Sequence, residues 1–280
     1  MRTLLLRLAY DGSRFAGYQK QLSERTVQGE LEKALADLHG HPVHTVSAGR
    51  TDAGVHATGQ YVSLVSDRDG IALRAFPAAV NSRLPHDVRV IDAREVPEGF
   101  HARYDARNRH YRYHIVVGPY TLPHQRAYAW RIPEMPDLDR LNGDAAEFVG
   151  RHDFSTFAAR RKEQGSMVRT VQYAHWRSWG NAVEFAIGAD GFLWRMVRSI
   201  VGTLVERERW RLRGDFPDQS VSELLLERRR GLSGTTAPAW GLFLHDVDYD
   251  VVHDTNDMGD ANNKGNANNK GDTSDKEYGE

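Results

Sequence analysis

Apolar positions in the first hundred residues alternate between the two-residue period of strands and the 3.6-residue period of helices. Strands are predicted at residues 3–10, 42–47, 60–66 and 87–96, with helices at 26–40 and 71–84 between them. In the first helix, Thr26 is placed to cap the start and Gly40 to end it, and Pro77 is a candidate kink in the second. The order β-α-β-β-α-β is that of a ferredoxin-like unit.

The second half of the chain follows the same pattern. Strand-like segments lie at 106–117, 170–179, 182–189 and 241–249, and Gly180 and Asn181 mark a hairpin turn. An amphipathic helix is predicted at 137–149, a helix apolar on most of its circumference at 192–208, and a shorter one at 220–230. The chain is therefore predicted to be an α+β protein of two ferredoxin-like halves, residues 1–98 and 99–250, each contributing a sheet.

Composition narrows the class of protein. The 280 residues are 40% hydrophobic and 27% charged, which is typical of a globular protein. No apolar run approaches the roughly 18 residues needed to cross a bilayer, and the first residues do not resemble a signal peptide. Because the chain has no cysteine, disulfides, thiolate nucleophiles and cysteine-ligated zinc are excluded. A cytoplasmic protein with no membrane association is expected.

The net charge of −1 conceals an acidic end segment. Residues 251–280 contain seven Asp or Glu against three Lys, and they repeat ANNKG. They offer almost nothing to bury, so this segment is predicted to be a disordered, acidic, low-complexity tail. The remaining residues, 1–250, carry a small positive excess.

Residues 47–60, SAGRTDAGVHATGQ, combine three glycines with Arg50 and Asp52 and are predicted to form a loop. A phosphate-binding P-loop is excluded, because Val55 and His56 stand where Lys and Ser or Thr are required. A metal site is disfavoured, since no further ligand set accompanies Asp52 and His56. Two interpretations stay open. Arg50 and Asp52 form a surface ion pair worth roughly 0–1 kcal/mol, which the local sequence favours, or Asp52 is a nucleophile or base beside a substrate.

Basic and aromatic residues interleave at 100–113, FHARYDARNRHYRY. Cations that neutralise phosphates beside aromatic faces that stack on bases are typical of RNA-binding proteins. A solvated strand face with packed tyrosines is the equally good structural interpretation. A second basic segment at 158–169 contains Arg160 and Arg161, and a third lies at 226–230. These segments suggest nucleic-acid binding without establishing it.

Seven blocks of the chain, in order, carry a resemblance to a known family. They are YDGSRFAGYQ (10–19), AGRTDAGVHATGQ (48–60), FHAR (100–103), YRY (111–113), GRHDFSTF (150–157), FLWRMVRSIVGTL (192–204) and APAWGLFL (237–244). Together they resemble the tRNA pseudouridine synthase A family over residues 3–249.

This resemblance implies an isomerase that converts uridine to pseudouridine at positions 38–40 of the tRNA anticodon arm. It further implies two α+β halves whose sheets meet at a central active-site cleft, a homodimer that grips the tRNA, and no metal or other cofactor. Matched by motif, the implied site residues are the catalytic Asp52, with Arg50, Tyr111, Arg198 and Leu242 binding the target nucleotide. The residues expected to contact the rest of the RNA are Arg103, Arg109, Arg160 and Arg161.

The implied chemistry leaves the step performed by Asp52 open among three: covalent attack, stabilisation of charge at the sugar, or removal of a sugar proton. Tyr111 is expected to stack on the uracil and to offer a hydroxyl near C5. Arg198, rather than Arg50, is expected to be the partner of Asp52. The main alternative function is a catalytically silent RNA-binding module of the same fold. A hydrolase is the third, disfavoured because a metal set and a general-acid partner are missing from the motifs.

Overall fold

The computed structural model describes residues 1–159, 165–215 and 219–250. Its strands are β1 (Arg2–Tyr10), β2 (Val46–Ser47), β3 (His56–Ser66), β4 (Val88–Val96), β5 (Ala106–Val117), β6 (Trp130–Ile132), β7 (Gly150–Asp153), β8 (Val168–Trp179), β9 (Ala182–Ala189) and β10 (Leu242–Tyr249). Its α-helices are α1 (Val27–His39), α2 (Phe76–Asn81), α3 (Leu138–Ala146), α4 (Met196–Leu212) and α5 (Val221–Glu227). Short 3-10 turns connect several of these elements.

The described strands form a single, mostly antiparallel sheet. Its order is β4-β1-β3-β10-β5-β9-β8-β7, with β2 paired to β3 and β6 to β5. The first half thus contributes β4-β1-β3-β2 and the second half contributes β10-β5-β9-β8. Counted along the chain within each half, both follow the order fourth, first, third and second of these strands. The predicted α+β class is confirmed. The two expected sheets are continuous, because β3 lies parallel to β10 with His56 opposite Phe243 and Ala57 opposite Leu244.

Helix α1 forms as its sequence predicts. The Thr26 hydroxyl accepts a hydrogen bond from the Gly29 amide at 3.2 Å, and Gly40 ends the helix in the left-handed conformation at φ 76°. Leu31 and Leu35 on its apolar stripe are fully buried. The observed caps and the buried apolar stripe therefore both match the helix predicted at residues 26–40.

Two predicted boundaries in the first half are wrong. The strand expected at 42–47 shrinks to residues 46–47, because the amide and hydroxyl of Thr45 bond to Glu32 of α1 instead of a neighbouring strand. The loop expected to run to residue 60 ends earlier, since β3 begins at His56. Gly59 belongs to that strand: a Cβ there would lie 2.2 Å from the His245 carbonyl oxygen of β10.

Two predicted helices are also corrected. Pro77 lies in the first turn of α2, where a missing amide proton costs no helical bond, and so it does not kink the helix. The helix expected from residue 192 begins only at Met196, because Arg195 takes the left-handed conformation at φ 62°. Residues 192–195 are instead a short loop, which we call the tryptophan loop after Trp194.

Residues 1–250 form one compact unit, with Ile200, Val201 and Leu204 of α4 buried in its core. No helix in the described part of the chain is long and apolar enough to cross a membrane. The boundary between halves at residues 98 and 99 remains a prediction. The segment predicted to be a disordered tail lies outside the described residues.

Candidate active site

A cleft of about 1110 Å³ opens between the two halves of the sheet. It is lined by the loop from residue 48 to residue 55, by β5, by the tryptophan loop and by the start of α4. The predicted site residues that it brings together are Arg50, Asp52, Arg103, Arg109, Tyr111, Arg198 and Leu242. Arg160 and Arg161 lie outside the described residues.

The loop that carries Asp52 is held in place by contacts with residues 10–19, the first motif block. The Tyr10 hydroxyl and the Thr51 hydroxyl are 2.7 Å apart in a buried hydrogen bond, and the Thr51 carbonyl accepts from the Tyr18 amide at 3.0 Å. Gly17 packs so closely that a Cβ would lie 2.9 Å from the same carbonyl oxygen. Residues 10–18 therefore pack against the loop that carries Asp52 and restrict its position.

His56 fixes the other end of this loop. Its Nδ1 accepts from the Gly12 amide at 3.0 Å and also lies 3.2 Å from Oδ1 of Asp11, while Nε2 donates to the Ala127 carbonyl at 3.0 Å. Burial lowers the pKa of His56, although the nearby Asp11 carboxylate opposes that shift. Both ring nitrogens are thus engaged. Among the described residues there is also no group of three or more His, Asp or Glu side chains that could hold a metal ion.

The Asp52 carboxylate is held by two side chains from the other half of the molecule. Oδ1 accepts a hydrogen bond from Nε1 of Trp194 at 2.9 Å, and Oδ2 lies 3.6 Å from Nη1 of Arg198. The Arg198 guanidinium is fixed in turn, because its Nε donates to the Ala237 carbonyl at 2.7 Å. Burial lowers the pKa of Arg198, and the Asp52 charge opposes the change. The expected pairing of Asp52 with Arg198 is present.

Tyr111 forms one wall of the cleft. It lies on β5 between β9 and β10, only 8% exposed, and meets the Phe192 ring edge-on at a centroid distance of 5.0 Å. Burial, with smaller electrostatic contributions from the nearby Tyr10 phenol and Asp52 carboxylate, raises the pKa of its hydroxyl. Leu242, at the start of β10, is also buried and lines the same cleft. An apolar, aromatic surface therefore faces a carboxylate.

The basic residues of the predicted RNA surface differ from one another. Arg109 is half-buried, and its guanidinium donates to the backbone carbonyls of Ala48, Ala106, Asp190 and Arg103, so it ties the two halves together. Arg103 is exposed, with its guanidinium 5.7 Å from the Tyr104 ring centroid. Arg50 is exposed at the rim of the cleft as well. Contact of these residues with RNA stays a prediction.

Three residues of the site were missed by sequence reasoning. The sequence pattern places Trp194 in a buried helix and Tyr10 in an ordinary strand, and it suggests only a metal-ligand role for His56. The signal available for each was its place inside a motif block, but a motif does not state which distant atom its side chain contacts.

The family model described as tRNA pseudouridine synthase matches residues 8–105 and 145–250. The chain belongs to the tRNA pseudouridine synthase family. It is 41% identical over 254 residues to the tRNA pseudouridine synthase A of Treponema denticola, covering 89% of this chain and 93% of that protein. The Halalkalibacterium halodurans protein of the same name is 41% identical over 244 residues, covering 86% of this chain and 90% of its own.

A third tRNA pseudouridine synthase A, from Bacillus pumilus, is 39% identical over 245 residues and is covered over 97% of its length. The family predicted from the seven sequence blocks is confirmed, and so is the enzyme class, a tRNA pseudouridine synthase. Among solved structures, a chain of a Cbf5-Nop10-Gar1 complex aligns at 13% identity over 72% of this chain and 44% of its own, with a TM-score of 0.36. That likeness is too weak to inform the site.

Proposed function

We propose that this chain converts uridine to pseudouridine at positions 38–40 of the tRNA anticodon stem-loop, with Asp52 as its indispensable catalytic group. The observation that carries the proposal is the position of the Asp52 carboxylate, fixed by Trp194 and Arg198 at the edge of a cleft walled by Tyr111 and Leu242. Such a cleft suits a flat base on one side and a reacting sugar on the other.

In the proposed reaction the bond from N1 to C1′ breaks, the uracil turns while it is still bound, and a new bond joins C5 to C1′. C5 then loses its proton, and N1 takes up a proton from solvent, so that the product is an isomer of the substrate. Asp52 acts at the nucleotide during glycosidic cleavage, and the Arg198 guanidinium stabilises and orients its charge. No cofactor takes part in this sequence.

Tyr111 is proposed to supply the surface on which the uracil stacks, with Leu242 closing the slot. Because burial and the neighbouring negative charges raise the pKa of Tyr111, its phenol stays protonated at neutral pH. Its hydroxyl has no hydrogen-bond partner among the described residues and is therefore available to the base. Tyr111→Leu removes the ring and Tyr111→Phe only the hydroxyl, so the two variants separate stacking from proton transfer.

The target uridine must leave its stack to enter the cleft, which costs a few kcal/mol. We propose that contacts between tRNA phosphates and the exposed residues Arg50 and Arg103 offset this cost. Arg160 and Arg161, and more weakly the tethered Arg109, are proposed to contact the RNA as well. A homodimer acting in the cytoplasm completes the proposal.

The test measures tritium release from tRNA labelled at C5 of uridine, with anticodon arms that carry a single uridine at position 38, 39 or 40. Wild-type protein dialysed against a chelator should release tritium from these substrates, and Asp52→Asn should bind them without releasing it. Normal turnover by Asp52→Asn would show that Asp52 is not the catalytic group. A wild-type protein that binds the tRNA but never releases tritium would instead be the silent RNA-binding module.

A further inference from the structure

Trp194 donates a hydrogen bond to the carboxylate that we propose to react, yet nothing in the family's motif pattern assigned it a function. Its indole Nε1 lies 2.9 Å from Oδ1 of Asp52, across 142 residues of sequence. We infer that Trp194 is a positioning residue, which holds the Asp52 carboxylate in one orientation for the reaction. This inference rests on the proposed function of Asp52.

The Asp52 carboxylate needs such a restraint. Rotation of an aspartate carboxylate about its last bond is soft, with broad and roughly two-fold preferences. Arg198 attracts Oδ2, but its Nη1 is 3.6 Å away, which is beyond the length of a well-formed hydrogen bond. The indole bond is short and ends on a charged acceptor, which makes it stronger than a bond between neutral groups. The orientation is therefore set by Trp194, and the countercharge comes from Arg198.

Contacts on both sides of the tryptophan loop hold the Trp194 ring in the orientation that reaches Asp52. Leu193 and Met196 on either side of it are buried, and the Trp194 carbonyl accepts a hydrogen bond from the Ala159 amide at 2.9 Å. Arg195 adopts φ 62°, a left-handed conformation that is costly for a side chain with a Cβ. Its guanidinium carbon also lies 4.8 Å from the Trp194 ring centroid. Strain of this kind persists only where surrounding contacts enforce it, and here it turns the chain so that the indole reaches Asp52.

The first experiment reads the hydrogen bond directly and needs no tRNA. In nitrogen-15 spectra, the indole N–H resonance of Trp194 should move clearly upfield in Asp52→Ala, because the charged acceptor is gone. The resonance of Trp179, which is 52% exposed on β8, should stay in place. An unmoved Trp194 resonance would overturn the inference.

The second experiment measures single-turnover rates of tritium release and tRNA dissociation constants. Trp194→Phe keeps an aromatic ring without the N–H and should slow the reaction about tenfold to a hundredfold, as expected for one hydrogen bond to a charged group. Its tRNA affinity should stay within about threefold, a change of less than 1 kcal/mol. Trp194→His should recover much of the lost rate, because histidine Nε2 occupies the ring position of tryptophan Nε1. The matched control Trp179→Phe should react at the wild-type rate.

Two results would contradict the positioning role: a Trp194→Phe rate within twofold of wild type, or a Trp194→His rate no higher than that of Trp194→Phe. The second result distinguishes a lost hydrogen bond from general damage to the loop, since both variants lose the larger indole. A wild-type protein that releases no tritium would refute the proposed function, while the spectral test would still decide whether Trp194 holds Asp52.

Discussion

Asp52 and Asp144 both pair with arginine, but the two carboxylates are held in different ways. In the cleft, Asp52 accepts one hydrogen bond from Trp194 and faces Arg198 at 3.6 Å, with the Asp52 side chain 27% exposed. Between α3 and α4, Asp144 accepts from Nε of Arg207 at 3.1 Å and from Nη2 of Arg211 at 3.0 Å, with its side chain 9% exposed.

The difference separates the carboxylate that we propose to react from one that is structural. Both oxygens of Asp144 are occupied by guanidinium donors in a closed space, so this carboxylate can only stabilise the packing of α3 on α4. Asp52 is oriented but not saturated, and it has open volume beside it. A carboxylate is therefore available for chemistry when its oxygens still have unused hydrogen-bonding capacity. The presence of an arginine partner alone does not distinguish the two aspartates.

The largest expected effect is the loss of catalysis in Asp52→Asn. Tritium release should fall by at least about a thousandfold, as it does when an essential catalytic group is removed from an enzyme. The free energy of unfolding should change by no more than about 1 kcal/mol, because partly exposed ion pairs contribute little to stability. Chemical denaturation checks the second statement. A large loss of stability would place Asp52 in the same class as Asp144.

Asp144→Ala should show the reverse pattern. It leaves the buried Arg207 guanidinium without its countercharge, which should cost about 3–5 kcal/mol of unfolding free energy. The rate per folded molecule should stay at the wild-type value, measured well below the melting temperature. Asp144→Leu combined with Arg207→Met should recover much of the stability, since apolar packing replaces this buried pair while Arg211 keeps Glu208 as its partner at 3.7 Å. A loss of catalysis without a loss of stability in Asp144→Ala would contradict the purely structural role given to Asp144.

Arg198→Lys tests the countercharge alone and should have an intermediate effect. Lysine keeps the positive charge but cannot donate to the Ala237 carbonyl while facing Asp52, because it lacks the planar fork of arginine. We expect a rate decrease of about tenfold to a hundredfold. Single-turnover kinetics at saturating protein separates this decrease from weaker tRNA binding. A wild-type rate would show that charge alone is sufficient.

The smallest expected effect concerns pH and His56. An unfolded histidine takes up a proton near pH 6.5, whereas burial lowers the pKa of folded His56. Its contribution is therefore complete above about pH 6.5 and declines below that value, because the unfolded chain then binds more protons. Melting temperatures should fall more steeply on acidification in wild type than in His56→Gln. Parallel profiles would contradict the assigned neutral state. Asp144 has only arginine side chains as partners among the described residues, so it should not contribute to this difference.

Sequence patterns predicted much of this architecture. The cap of α1, the hairpin turn at Gly180 and the repeated order of elements all follow from local rules. The start of α4 could not be predicted in this way, because apolar residues continue through the tryptophan loop and nothing in them announces that Arg195 is left-handed. The contact between Trp194 and Asp52 was equally inaccessible, since it depends on how two halves meet across a sheet. Motif resemblance identified Asp52 and Arg198, but not the donor that orients the carboxylate.

The parallel pairing of β3 with β10 also has a consequence for how the protein is made. The strand that leads out of the Asp52 loop has β10 as its neighbour, and β10 consists of residues 242–249. During synthesis the first half emerges before β10, so the end of β3 at His56 and Ala57 stays without this partner for roughly 175 residues of further elongation. Such long-range pairing is slow to form. We therefore expect the Asp52 loop to reach the geometry described above only after β10 has left the ribosome.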